Sequence, residues 1–270
     1  MLKKKKKIIL LFCFLFIVLG FSALHLNLKT VYYKVSSPKI KEPLRILFLS
    51  DLHSSQFGES QKELLKCIEK QNPDIILLGG DIADDIRPHD NTKIVLQSIG
   101  KKYPCFYVTG NHEFWSGEIE IIKEMFLENN IKILEGKAEA ISSITICGVD
   151  DPEIGEEAFF KQIETASSEA SPNSFIVFMS HRPEYIDIYK KYNFDLILSG
   201  HAHGGQWRIP YLLNGFYAPN QGFFPKYAGG NYSIDDKTFI VGRGLAKWTV
   251  SIPRIFNPPE LVVIDLEPEA

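Results

Sequence analysis

Ile197-Leu-Ser-Gly-His201-Ala-His203-Gly-Gly-Gln206 is the stretch from which the fold is most directly read. Residues 194–198 form an apolar run of strand length, and two histidines follow it at once, one alanine apart. The flanking glycines let backbone approach closely and take up positive φ where a side chain could not. In an extended segment residues i and i+2 point the same way. Both imidazoles are therefore expected to face one small object, and a metal cluster is the object that suits them. Two hydrogen-bonded histidines in a Gly-rich turn are the alternative at this segment taken alone.

The same pattern, an apolar strand halted by a polar cluster, recurs along the chain. Residues 45–50 stop at Asp51-Leu52-His53, and 74–78 at Gly79-Gly80-Asp81. Residues 105–109 stop at Gly110-Asn111-His112-Glu113, and 174–179 at Ser180-His181-Arg182-Pro183. Apolar spacing between these runs predicts helices over 61–71, 91–99, 117–129, 156–168 and 184–192. Further strands are expected at 30–35, 141–147, 238–241 and 261–265, with a loop over 36–43. Alternating strands and helices indicate an α/β domain, and continuous apolar strands indicate sheets covered on both faces. Sites in such sheets form at the carboxyl ends of strands, so the five clusters are expected to converge.

Five of the seven histidines lie in these clusters; only His25 and His89 stand outside. Carboxylate, carboxamide and imidazole together make a mixed nitrogen and oxygen donor set without thiolate, suited to Mn, Fe, Zn, Ni or Co. Asp51, His53, Asp81, Asn111, His181, His201 and His203 are more ligands than one metal normally takes. Two metal ions sharing a carboxylate are the natural arrangement. Such a pair, roughly 3.5–4 Å apart, generates hydroxide and clamps the attacking and leaving oxygens of an in-line displacement.

Taken together, DxH, GD, GNHE, SHxP and GHxHGGQ, in this order from Arg45 to Gln206, resemble the motifs of the calcineurin-like metallophosphoesterases. The resemblance implies two packed mixed β-sheets flanked by helices in a four-layer sandwich. It implies that Asp51, His53 and His203 hold one metal, that Asp81 bridges, and that Asn111, His181 and His201 hold the other. His112 is implied as the non-ligand histidine that protonates the leaving oxygen or stabilises the phosphorane. The cofactor is then two divalent or trivalent ions such as manganese, iron or zinc. The GHxHGGQ-Trp-Arg-Ile-Pro continuation resembles the bacterial membrane-anchored branch of that family, where some relatives cleave the pyrophosphate of UDP-diacylglucosamine.

Composition bounds the rest. The 270 residues, 45% hydrophobic and 23% charged, suit one large globular domain. A net charge of -3 offers no polyanion-binding signature, and no Lys/Arg cluster outside the N-terminus favours a nuclease. Four cysteines without a CxxC pair suggest neither a disulfide framework nor cysteine-bound zinc. No nucleophile-elbow motif supports Ser/His/Asp hydrolysis.

At the N-terminus, Lys3 to Lys7 precede seventeen uncharged residues, 8–24. Such a run spans roughly 25 Å as a helix, near the short end of a transmembrane segment. The lysines predict a cytoplasmic N-terminus and an exported domain, with a cleaved signal peptide as the competing reading. The expected organisation is thus 1–29 as tail, single-pass anchor and short tether, and 30–270 as the catalytic domain. The tether keeps the domain close to the membrane, and five aromatics between Phe216 and Tyr227 can form an apolar wall there. The expected function is hydrolysis of a phosphodiester or pyrophosphate, on a substrate that is lipid-linked if the aromatic loop serves lipid. A pyrophosphohydrolase of the UDP-diacylglucosamine type and a membrane-anchored non-catalytic phospholipid-binding module are the alternatives.

Overall fold

The computed structural model describes residues 20–247 and 253–269, together with positions 5, 7, 10 and 14. Most of the expected anchor, 8–24, lies outside the described residues. Among those described, no helix is long and apolar enough to cross a membrane.

Two six-stranded sheets carry the architecture. The first contains β1 (Lys29–Ser37), β2 (Leu44–Leu49), β3 (Ile75–Gly79), β4 (Cys105–Val108), β5 (Ile131–Ile133) and β14 (Glu260–Pro268), ordered β1-β14-β2-β3-β4-β5. The second contains β6 (Lys137–Ile141), β7 (Ile144–Gly148), β8 (Phe175–Met179), β9 (Leu196–Ser199), β12 (Gly230–Ile234) and β13 (Lys237–Val241), ordered β12-β13-β9-β8-β7-β6. Both sheets are mixed: β2, β3, β4 and β5 run parallel, as do β7, β8, β9 and β13, with antiparallel partners beside them. A small hairpin, β10 (Tyr217–Ala218) and β11 (Gly222–Phe223), stands apart.

Strand periodicity sorts the apolar side chains into layers. Ile46, Phe48, Leu77, Phe106 and Val108 of the first sheet meet Ile146, Val177, Met179, Leu198 and Ile240 of the second in one buried layer. The alternate residues Leu47, Leu49, Ile76, Leu78 and Tyr107 face the other way. They pack on Leu64 and Ile68 of α1 (Lys62–Gln71), Val95 and Leu96 of α2 (Asp90–Ile99), and Ile122 and Phe126. Those last two belong to α4 (Ile119–Glu128), which follows the short α3 (Asn111–Trp115). On the far side, Ile176, Phe178, Ile197 and Phe239 cover Phe159 and Ile163 of α5 (Glu156–Glu169) and Tyr189 of α6 (Ile186–Tyr189). The order of layers is helix, sheet, sheet, helix. Both faces of each sheet are buried, which is why the central strands read as unbroken apolar runs.

Some elements differ from the sequence reading. The single strand expected over 141–147 is a hairpin, β6 and β7, turning at Ser142, whose φ is 50°. A two-residue hairpin loop calls for positive φ, and serine gives weaker notice of it than Asn-Gly. The helix expected over 184–192 shrinks to a 3₁₀ turn at Pro183–Tyr185 and one α-turn, α6. β5 and β12 were not expected: β5 is three residues long, and β12 is an edge strand of alternating half-buried and exposed residues.

Phe48 is 1% exposed, and its ring fills the space above Gly79 and Gly242 in the inter-sheet layer. Phe48→Ala is expected to cost about 3–5 kcal/mol, the usual range for emptying an aromatic site in a core. Urea unfolding of the variant checks this, and a loss under about 1 kcal/mol would mean the two sheets close over the gap.

Candidate metal centre

The site forms where five parallel strands end. Asp51 and His53 follow β2, Asp81 follows β3, and Asn111 and His112 open α3 after β4. His181 follows β8, and His201 and His203 follow β9. Because β2, β3 and β4 are neighbours in one sheet and β8 and β9 in the other, their carboxyl ends meet across the inter-sheet layer. All seven expected ligands are buried, and His112 is half-buried beside them.

Tight turns achieve the convergence. Asp51, His53, Asp81, His201 and His203 all have left-handed backbone, with φ between 47° and 65°. For residues other than glycine this costs roughly 1–2 kcal/mol each, and such strain gathers at functional sites. Backbone hydrogen bonds between the loops hold it: Asp51 N to Gly80 O at 3.0 Å, His53 N to Asp81 O at 2.9 Å, and Ala246 N to Asp51 O at 2.7 Å. Two glycines are needed for closeness. A Cβ at Gly110 would sit 2.2 Å from Asp81 Oδ1, and one at Gly200 would sit 2.7 Å from Asp51 Oδ2.

The left-handed backbone also revises the expectation for the paired histidines. His201 and His203 are not extended and do not point side by side; they enter two adjoining groups. His203 joins Asp51, His53 and Asp81, whereas His201 joins His181 and Asp81. Each group offers ligand atoms within 4.8 Å of one another, and Asp81 belongs to both. Asp81 Oδ2 lies 3.1 Å from His181 Nε2 and 3.6 Å from His53 Nε2; Asp51 Oδ1 lies 3.6 Å from His203 Nδ1.

The polar atoms themselves test whether cations fit. Asp51 Oδ2, His53 Nε2, Asp81 Oδ2, Asn111 Oδ1, His181 Nε2, His201 Nδ1 and His203 Nδ1 are buried and make no hydrogen bond among the described residues. A buried polar atom left unpaired is costly, and here every expected ligand contributes one. On several of them the opposite atom is already engaged. His181 Nδ1 donates to Gly79 O at 2.7 Å, and Asp51 Oδ1 and Asp81 Oδ1 accept the backbone N–H groups of His201 and His112, each at 2.9 Å. This is the usual manner in which outer partners leave one lone pair free for a metal.

Charge follows burial. Burial, with the positive charge of neighbouring side chains, pushes His201 and His203 well below the ordinary histidine value, leaving both neutral and fit to ligate. Burial would lower His181 too, but Asp81 and Asp51 outweigh it and hold it at about 10 in the metal-free protein. Burial works against ionisation of Asp81, yet His181 and His53 carry it well below the usual carboxylate range.

Sequence reasoning assigned no role to five residues that serve this site. Glu113 accepts the backbone N–H groups of Asp81, Ile82, Ala83 and Gly110, tying β3 to β4 beneath the bridging position. Asp84 Oδ2 stands 3.3 Å from His53 Nδ1, and Asp85 Oδ1 accepts from His112 Nδ1 at 2.6 Å. Arg182 and Asn220 adjoin His201. The GNHE block contained Glu113 in plain view, and two carboxylates just past Asp81 were a usable signal. Asn220, far along the chain, gave none.

Above the polar floor lies a cavity of about 520 Å³, lined by Trp115, Trp207, Phe216, Tyr217 and Phe223, with His112, His201 and His203 at its base. The aromatic segment expected as a wall does supply much of it. Tyr227 instead packs into the core against Phe239.

Comparison with known proteins agrees with this geometry. The profile of the calcineurin-like phosphoesterase family matches residues 44–205. An uncharacterized metallophosphoesterase of Campylobacter jejuni is 28% identical over 263 residues, covering 93% of this chain and 67% of its own. One from Bacillus subtilis is 30% identical over 234 residues, covering 82% of this chain and 83% of its own. A bovine transmembrane protein with a metallophosphoesterase domain is 25% identical over 253 residues, covering 85% of this chain and 54% of its own. The chain belongs to the calcineurin-like phosphoesterase family.

Proposed function

We propose that the protein is a dinuclear metal-dependent phosphoesterase that cleaves a phosphodiester or pyrophosphate, on a substrate carrying a lipid. The observation that carries the reading is the set of seven buried, unpaired ligand atoms, six of them in two groups that share Asp81 and the seventh on Asn111. Asp51, His53 and His203 would hold one cation, Asn111, His181 and His201 the other, with Asp81 between them. Two cations held there supply Lewis acidity, lowering the pKa of water and neutralising charge on phosphoryl oxygens.

His112 contributes the proton. Asp85 fixes its ring through Nδ1, and Nε2 stands 4.0 Å from Asp81 Oδ2 at the base of the cavity, within reach of a leaving oxygen seated there. The aromatic wall seats the apolar part of the substrate and excludes water from the reacting phosphate. A non-catalytic binding module has no use for an oriented, non-ligating histidine, which argues against that alternative.

Two observations support a substrate presented by a membrane and a domain held on its outer side. Phe223 and Phe224 are 66% and 65% exposed at the cavity rim, and Tyr211 and Leu212 are exposed nearby in sequence. The described end of the N-terminal segment docks at Pro210, next to Tyr211 in sequence: Phe256 N donates to Ala23 O at 2.7 Å, and Phe21, Pro210 and Phe256 line one hollow. An apolar run followed by this docking supports a single-pass anchor with its lysines in the cytoplasm.

Asp81→Asn is expected to lose both metal ions and turnover together, since the amide no longer offsets repulsion between two cations. Metal analysis of the purified variant decides this, and two ions per chain with normal turnover would refute the bridging role. His112→Gln should keep its metal content while kcat on an alkyl phosphodiester falls roughly 10²–10⁴-fold. The loss should be smaller with bis-nitrophenyl phosphate, whose leaving group needs no proton; equal losses would point to phosphorane stabilisation instead. For the lipid reading, the chain with both Phe223→Ser and Phe224→Ser, reconstituted in vesicles, should keep turnover of a water-soluble diester. It should lose turnover of a phosphodiester lipid in the same vesicles. A parallel fall of both activities and of Tm would make the rim structural.

A further inference from the structure

A chain of polar contacts runs from the domain interior to the cavity rim. Arg182, 5% exposed, pairs with buried Asp151 through two bonds, Nε to Oδ2 at 2.6 Å and Nη2 to Oδ1 at 2.9 Å. Its third arm, Nη1, donates to Asn220 Oδ1 at 2.9 Å. The same Asn220 oxygen lies 2.9 Å from His201 Nε2, and Arg182 Nη1 lies 3.2 Å from that nitrogen. Asn220 stands at the turn of the β10–β11 hairpin with φ of 58°, next to the aromatic wall.

His201 Nε2 faces an acceptor, Asn220 Oδ1, at 2.9 Å and a donor, Arg182 Nη1, at 3.2 Å, and the shorter contact sets the proton. A guanidinium only donates, so the Asn220 atom facing Nη1 is the carbonyl oxygen and not the amide nitrogen. That oxygen only accepts, so the His201 nitrogen facing it carries a proton. Neutral imidazole protonated at Nε2 has its lone pair at Nδ1. Nδ1 is the His201 atom that is buried without a partner.

We propose that Asn220 is a positioning residue that selects the His201 tautomer able to ligate through Nδ1, and so sets the affinity of the cation site that includes His201. The proposal rests on the dinuclear reading only for His201 being a ligand; the tautomer follows from the shorter of the two contacts at Nε2. His181 is oriented by the Gly79 carbonyl within the sheet framework. His201 is oriented instead from the hairpin that forms the cavity wall. If the Asn220 oxygen is removed, the group left facing Nε2 is Arg182 Nη1, which can only donate. Nε2 must then accept, the proton moves to Nδ1, and the ligating lone pair is lost.

The test uses the full chain in detergent micelles. Nitrogen-15 NMR of labelled histidine reads the His201 tautomer in the metal-free protein, and calorimetric titration with Mn²⁺ reads the two sites. Wild type and Asn220→Asp, which keeps an acceptor oxygen, should both show the Nε2–H tautomer and two Mn²⁺ ions bound. Asn220→Leu should show Nδ1–H and roughly 10–100-fold weaker Mn²⁺ binding at one site, the range typical for loss of an outer partner, with a lower Tm because leucine fits the left-handed backbone there poorly. An Nε2–H tautomer in the Leu variant overturns the proposal. So does wild-type Mn²⁺ affinity at both sites in that variant, or an equal loss in Asn220→Asp. Failure of wild type to bind Mn²⁺ would count against the dinuclear reading, while the tautomer shift would still decide what Asn220 does.

Discussion

Asp51 and Asp81 are carboxylates with no exposed surface, packed among four imidazoles at the meeting edge of two sheets. Burying one anion without compensation costs several kcal/mol, and two in one pocket also repel. The positive charge that Asp81 and Asp51 hold on His181 offsets part of this in the metal-free protein. Each of the seven expected ligands still offers a buried atom without a hydrogen-bond partner. Cations do satisfy them, and most of the local structure makes sense as a means of holding donors apart until cations arrive. The five left-handed residues, the bonds between loops and the Glu113 clamp all oppose relaxation of that cluster.

Two sheets are needed because no single sheet offers enough ends in the right places. β2, β3 and β4 bring Asp51, His53, Asp81 and Asn111 along one edge, while His181, His201 and His203 come from β8 and β9 across the shared core. The apolar layer between the sheets therefore sets the distance between the two halves of the donor set. Phe48 and its neighbours act on the chemistry without touching it, since a shift of one sheet against the other would separate Asp81 from His181, now 3.1 Å apart.

Much of this was legible in the chain. The central strands announce themselves because they are covered on both faces, and the residue that ends each of them is polar for lack of any other reason to be. The convergence of five such ends follows from the parallel grammar of the sheets. What stayed hidden was geometry that depends on the third dimension. Composition alone does not say that His201 and His203 turn into left-handed backbone and part company, although histidine tolerates that region better than most residues. Nor does it reveal Asn220, seventeen residues beyond His203 and separated from it by a loop, as a partner of His201. The edge strands β12 and β6 escaped for a plainer reason: half-exposed strands lack the apolar run that marked the others.

The contrast between floor and wall is what the proposed substrate rests on. Charge on the floor is useful only if water is kept from screening it, and the aromatic wall does that on one side of the cleft. A small hydrophilic phosphate would leave Trp207, Phe216 and Phe223 facing solvent after binding, with nothing gained from burying them. A phosphoester carrying an apolar moiety would cover the same rings and bring its phosphorus toward His112. The wall hairpin also carries Asn220, so the element that would recognise the apolar part is the one that orients a candidate metal ligand. Displacing that hairpin would remove the Asn220 contact from His201, and on the proposed reading this would couple the seating of the substrate to the centre that acts on it.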